Sequence, residues 1–207
     1  MKVMLVNGSP HEKGCTYTAL AEAKKVFKEN GIEAEIFWIG NKPISGCISC
    51  GTCRKIGKCC IDSDRVNEFV ETAKSADGFI FGSPVHYASA GGAITSFMDR
   101  AFYSGGAAFC GKPAASIASC RRGGASATFD QLNKYFTINC MPVVSSNYWN
   151  QVHGSTPEEV LRDEEGVQTV QILANNMSWL LKCIELGNRN DIPFPKPPAK
   201  IKTNFIR

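Results

Sequence analysis

No stretch of this chain reaches the roughly 18 consecutive apolar residues that a membrane-spanning helix needs. The opening, MKVMLVNGSP, breaks off at Asn7 and Gly8, before it has the apolar run of a secretion signal. These two absences make a membrane association unexpected, and a cytoplasmic location is the expectation. No basic block with interleaved aromatics is present, so no nucleic-acid partner is expected. Internal repeats and low-complexity segments are also missing. The formal net charge is only +4. After Asp191 the chain holds Lys196, Lys200, Lys202 and Arg207 and no acid, so this tail accounts for the whole excess and the body is neutral.

What is present is ordinary globular material: 207 residues, 43% apolar and 20% charged. That length suits one domain with a full core. Cysteine is the unusual component. There are ten, and five of them fall within GCISCGTCRKIGKCC, residues 46–60. In the cytoplasm thiols stay reduced. A dense group therefore points to a metal, a cluster or a redox site rather than to a disulfide framework.

Short apolar runs alternate with amphipathic stretches. The pattern predicts strands at 2–8, 33–40, 78–84, 114–119 and 141–146. It predicts helices at 16–31, 63–76, 92–102 and 127–138, and a long last helix from STPEEV to about Leu186. The 63–76 helix is expected to start on a Ser cap, with Val66, Phe69, Val70 and Ala73 on one face. The last helix has Ser155 or Thr156 as cap, Pro157 in its first turn and Glu158–Glu159 against its dipole. Five strands alternating with five helices read as an α/β three-layer sandwich with a five-stranded parallel sheet. Residues 1–190 form that domain, with a cysteine-rich loop at 44–62. PFPKPPAK suits neither helix nor central strand, so 191–207 is expected to be an extended Pro-rich tail, free or laid on a partner subunit.

Ligands of open parallel sheets sit beyond the carboxyl ends of the strands. Three loops there are informative. NGSPHEKGCTYT (7–18) joins strand to helix with small residues and hydroxyls. A helix N-terminus offers free N–H groups and a positive dipole end to a phosphate, and Ser9, Thr16 and Thr18 can add donors. The loop is neither G-x-G-x-x-G nor a Walker loop, and a plain tight turn is the alternative. In GSPVHYASAGGA (82–93), Pro84 stiffens the strand end and His86–Tyr87 put rings at the rim. SCRRGGAS (119–126) brings Arg121, Arg122, Gly123 and Gly124 to the same edge. Three such loops suit a planar cofactor carrying a phosphate.

GSPHEKGCTYTAL, SPVHYASAGGAITSFMDRAF and CRRGG together resemble the flavodoxin-like NADPH-dependent FMN reductase family, from Met1 to about Leu186. ISGCISCGTCRKIGKC is similar to the iron–sulfur flavoprotein branch of that family. The resemblance implies a flavodoxin-like fold and FMN. The phosphate falls to Ser9, His11, Cys15, Thr16 and Tyr17. The isoalloxazine falls to Pro84, Val85, His86, Tyr87 and Ala88, with Ser119, Arg121, Arg122, Gly123 and Gly124. Cys15 stands where the family often has Asn, His11 where it often has Arg or Lys, and His86 where Tyr is frequent. His86 reads as a rim residue with a packing role, although imidazole chemistry also allows proton transfer.

The cysteine spacing is Cys47-x2-Cys50-x2-Cys53-x5-Cys59, with Cys60 as a spare. Three cysteines at x2 intervals can wrap one face of a cubane while a fourth closes it, as in bacterial ferredoxins. A [4Fe–4S] cluster on Cys47, Cys50, Cys53 and Cys59 is one reading. A cluster-free thiol or disulfide loop is another. Zinc is a third, less natural because structural zinc prefers two separated knuckles. Arg54, Lys55 and Lys58 make a basic collar that would raise a cluster's potential and attract an acidic carrier such as ferredoxin, or is simply a solvated loop. Cys110, Cys120, Cys140 and Cys183 read as small buried apolar residues, with Cys120 beside the proposed ring. Trp149 has three readings: near the site, at a subunit seam, or in the core.

The leading expectation is an FMN-dependent oxidoreductase loaded by NAD(P)H or a reduced carrier and emptied by a second substrate. Hydride transfer to a flavin needs alignment and a dry surface, so no essential catalytic side chain is named. A redox-sensing FMN-binding module without turnover and a zinc-stabilised structural protein remain open. The resemblance implies a homodimer or homotetramer.

Overall fold

Strand β1 (Lys2–Asn7) carries Val3, Met4, Leu5 and Val6, all fully buried. A strand apolar on both faces belongs in the middle of a sheet covered on both sides. The computed structural model, which describes residues 1–199 and 201–203, places it there. Helix α1 (Cys15–Glu29) leads to β2 (Glu33–Trp38). A short helix α2 (Cys53–Ile56) and helix α3 (Val66–Ala73) precede β3 (Gly78–His86). Strand β4 (Ser89–Ala90) folds back on the end of β3, and helix α4 (Gly92–Gly105) follows. Then come β5 (Ala114–Cys120), α5 (Ala125–Ile138), β6 (Gln151–His153), α6 (Pro157–Arg162) and α7 (Glu164–Arg189). The parallel strands run in the order β2-β1-β3-β5-β6.

Side chains alternate across β1, and the two cores divide accordingly. Met4 and Val6 face a core built with Phe69 of α3, Phe97 of α4 and Phe136 of α5. Val3 and Leu5 face one built with Leu20 and Phe27 of α1 and Leu173 and Met177 of α7. The result is the expected three-layer sandwich with five parallel strands.

Three expectations need correction. MPVVSS is not a strand: only Val143 bridges to Ala114, and the edge position resumes four residues along β5, where Ala118 pairs with Gln151. Pro142 has no N–H for a ladder, and residues 145–150 loop out before the edge is rejoined. The last helix is two helices. Asp163 ends α6 and its carboxylate then accepts from Gly166 N at 3.0 Å to cap α7. The helix expected at 63–76 begins only at Val66, whose N–H is accepted by Asp64 rather than Ser63. The Thr156 cap is present, accepting from Glu159 N, with Pro157 behind it. Residues 192–199 and 201–203 form neither helix nor strand; Lys200 and Arg207 lie outside the described residues. Among the described residues no helix is long and apolar enough to cross a membrane.

Candidate functional site

The first rim loop leaves β1 at Gly8, whose N–H donates to Gly82 O at 2.9 Å. A Cβ there would sit 2.7 Å from that oxygen and from Ile94 Cβ, so only glycine fits. The loop is then sewn to itself. Ser9 N donates to Asn7 Oδ1, Asn7 Nδ2 donates to Glu12 O, and His11 N donates to Ser9 Oγ. Ser9 is buried and His11 exposed. Thr16 and Ser119 are both buried, and their hydroxyls meet at 2.7 Å, joining the start of α1 to the end of β5. Thr18 Oγ1 donates to Gly14 O, and the Cys15 thiol donates to Gly154 O at 3.6 Å. Burial pushes the Cys15 thiol up. Tyr17 is half-buried.

The second loop is a hairpin between β3 and β4. Pro84 and Val85 are half-buried, and His86, Tyr87 and Ala88 stand exposed at its tip. Tyr87 (φ 49°) and Ala88 (φ 61°) are both left-handed, the backbone of a tight hairpin turn without glycine. Gln131 of α5 holds the hairpin, its Oε1 accepting from Ser89 Oγ at 2.6 Å and Ala90 N at 3.2 Å.

The third loop carries exposed Arg121, Arg122 and Gly123. Gly124 has φ +89°, and a Cβ on it would lie 2.5 Å from Ala88 Cα and 2.8 Å from Val85 Cγ1. The second and third loops therefore touch at Gly124. Buried Cys120 packs with Val85, Ala118 and Ala125 beneath that contact, its thiol pushed up by burial.

Helices α1, α4 and α5 follow these loops. Each starts on a glycine (Gly14, Gly91, Gly124), with no side-chain cap and no acid in its first turn. Helices α6 and α7 are the opposite, capped by Thr156 and Asp163 and acidic in the first turn. Uncapped N-termini leave N–H groups and positive dipole ends without internal partners, which fits a phosphate-bearing cofactor.

The profile of the NADPH-dependent FMN reductase family matches residues 1–156. The chain belongs to the NADPH-dependent FMN reductase family. An iron-sulfur flavoprotein of Methanocaldococcus jannaschii is 32% identical over 193 residues, covering 89% of this chain and 100% of the relative. One of Methanosarcina thermophila is 29% identical over 189 residues, covering 89% and 97%. In fold the chain is similar to a flavodoxin from the domain Archaea, with TM-score 0.60 and 13% identity, covering 88% of this chain and 99% of the other.

The cysteine loop of this FMN reductase family member lies against helix α4. Cys47, Cys50, Cys53, Cys59 and Cys60 line one small cavity, closed below by Arg100, Tyr103 and Ser104. No disulfide joins any of the ten cysteines. Cys50 Sγ and Cys60 Sγ are 3.5 Å apart. Hydrogen bonds from Thr52 and from Cys60 pull the Cys50 thiol down to about 7, and Cys60 is pushed up in turn, chiefly by its hydrogen bond to Cys50. The Cys59 backbone is fixed by Asn67, which accepts from its N–H and donates to its C=O, both at 2.9 Å. Among the described residues no three His, Cys, Asp or Glu side chains are set to share one metal ion. The four ligands expected from the spacing thus share a cavity without converging on a single point. Of the basic collar, Arg54 donates to Tyr103 OH at 2.7 Å and Lys58 pairs with Asp62 at 3.4 Å.

Trp149 is exposed and leans on Tyr148 at 4.6 Å between centroids, so the core reading is excluded. Cys140 and Cys183 are likewise exposed rather than buried, and Cys110 is half-buried. Sequence reasoning missed the residues that hold the loops: Asn7, Trp38, Gln131, Asn67, Asp64 and Arg100. Arg100 had a visible signal, a charge inside the apolar run AITSFMDRAF. Trp38 had none; its Nε1 crosses from β2 to donate to Ser9 O at 2.8 Å. Trp38→Phe keeps the ring and removes that donor. FMN affinity is expected to fall about fivefold, the equivalent of one lost hydrogen bond of about 1 kcal/mol. Flavin fluorescence titration checks it, and an unchanged affinity would show that the bond does not order the loop.

Proposed function

We propose that this chain is an FMN-dependent oxidoreductase that exchanges electrons with a second carrier through a [4Fe–4S] cluster on Cys47, Cys50, Cys53 and Cys59. The observation that carries the flavin part is the set of three uncapped helix N-termini behind three touching loops. Five thiols on one cavity carry the cluster part. Bound FMN supplies two-electron and one-electron redox chemistry, and a cluster supplies one-electron chemistry. The chain's own contribution is placement. The amides from Cys15 to Tyr17 would receive the phosphate, Pro84 to Ala88 and Ser119 to Gly124 would frame the ring, and the apolar floor of Val85, Ala118 and Cys120 would keep water out. NAD(P)H or a reduced carrier such as ferredoxin is the donor, and the working form is a homodimer or homotetramer.

The test is the absorption spectrum of anaerobically purified protein with FMN and iron counted. The expected result is one FMN and about four irons per chain, with broad visible absorbance that bleaches on reduction. Serine at any of Cys47, Cys50, Cys53 or Cys59 should abolish the iron and keep the flavin, and Cys60→Ser should keep both. Steady turnover of NADPH with a dye separates an enzyme from a sensor. A colourless protein with no affinity for FMN overturns the reading. The Cys50–Cys60 approach favours one alternative, an iron-free thiol switch that closes this pair on oxidation. It predicts flavin without iron and a disulfide recovered from air-exposed protein.

A further inference from the structure

Helix α4 has two working faces. Ile94, Phe97, Met98, Ala101 and Phe102 enter the core. Ser96, Arg100 and Tyr103 fall at i, i+4 and i+7, on a common face. That face receives the cysteine loop. Gly46 comes down beside Ser96 Oγ, and Arg54 docks on Tyr103.

Between them Arg100 is 1% exposed. A buried guanidinium is tolerated only with its donors satisfied. Its Nη1 donates to the Asp64 carboxylate and to Ser45 O at 3.3 Å, and its Nη2 to Ile61 O at 2.6 Å. Its Nε donates to Cys59 Sγ at 3.2 Å. Ser45 precedes the first cysteine of the loop, and Cys59, Ile61 and Asp64 close it. One side chain therefore ties both stems of the loop to α4. Three of its acceptors are oxygens that any arginine clamp would use. The fourth is a sulfur assigned above as a cluster ligand.

We propose that Arg100 is the positioning residue of the cysteine centre: it fixes Cys59 Sγ by a charge-assisted hydrogen bond and holds the loop closed round the cluster. This rests on the cluster reading of the preceding subsection. A donor and a positive charge at a ligand sulfur favour the reduced, more negative core, so Arg100 raises the reduction potential. Asp64 anchors the clamp without touching the sulfur, which separates charge at the ligand from loop closure.

The test uses the full chain, purified anaerobically with its flavin, as wild type, Arg100→Gln, Arg100→Lys and Asp64→Asn. Iron release to a chelator and the cluster's midpoint potential are measured, with bound FMN and far-ultraviolet circular dichroism as checks on the fold. Arg100→Gln is expected to release iron at least ~10-fold faster, the usual effect of losing a partner to a ligand, and to titrate at a lower potential. Asp64→Asn should speed release with a smaller change in potential. If Arg100→Gln fails to fold, Arg100→Lys decides. Lysine cannot serve Ser45, Ile61, Asp64 and Cys59 together, so release should still accelerate. Release and potential both at wild-type values in a folded, flavin-bearing Arg100 variant overturn the proposal. Iron-free wild-type protein overturns the cluster reading itself, and the clamp with it.

Discussion

Gly124→Ala is expected to weaken FMN binding by at least about tenfold while the protein still folds. The position combines two demands that alanine cannot meet. Its φ of +89° is a conformation that costs a residue with a Cβ about 1–3 kcal/mol. The added Cβ would also fall 2.5 Å from Ala88 Cα, which is backbone and cannot step aside. Either the hairpin tip or the turn after β5 must move, and both belong to the proposed ring site. Since about 1.4 kcal/mol is a factor of ten in affinity, the strain alone suffices if it is relieved by displacing the loops. Titration of flavin-free protein with FMN, followed by fluorescence, measures it. Gly92→Ala is the control. Nothing lies within 4 Å of a Cβ there and its φ is not positive, so affinity should stay close to wild type. Equal affinities for the two variants would mean that the contact between the loops does not shape the flavin site.

The strained backbone that makes this prediction possible was not readable in the sequence. GG at 123–124 signals a turn, but not that its second glycine touches a hairpin 36 residues earlier. The same distinction runs through the fold. Strand β1 and helix α1 were legible within two residues at their ends, because burial writes a period into the side chains. The edge strand was not. MPVVSS has strand composition and does meet Ala114, but a prolyl residue and a six-residue detour move the pairing to Gln151–His153. The break at Asp163 was hidden because the charged run Arg162–Glu165 is equally at home within one continuous helix. At the site, sequence patterns located all three rim loops and the cysteine cluster. Their supports were out of reach, since Trp38 and Ser9 are 29 residues apart and Arg100 and Cys59 41 apart. Such pairs are brought together by topology, which no local period records.

Phe69→Ala is expected to destabilise the apoprotein by about 3–5 kcal/mol, a large share of the 5–15 kcal/mol typical of a whole domain. Phe69 is fully buried, and its ring lies within 5.1–6.4 Å, centroid to centroid, of Phe37, Phe79, Phe81, Phe97 and Phe109. Those partners come from β2, β3, α4 and the turn before β5, so no single neighbour can collapse into the gap. The effect should not be spread evenly over the molecule. Phe69 is the anchor of α3, and α3 begins two residues after Asp64 and contains Asn67, the residues that hold the cysteine loop from below. The rim loops are pinned mainly by Gln131, Trp38 and the Thr16–Ser119 pair, of which only Trp38 is tied to α3, its carbonyl accepting from the Arg65 guanidinium at the helix start. With the proposed cluster in place, the variant in urea should therefore lose iron before it loses FMN, whereas wild type should lose both in one transition. Phe69→Leu, which leaves a smaller void, should fall between them. Simultaneous loss of iron and flavin in Phe69→Ala would show that the aromatic core stabilises the whole sandwich as one unit, with no local link to the cysteine loop.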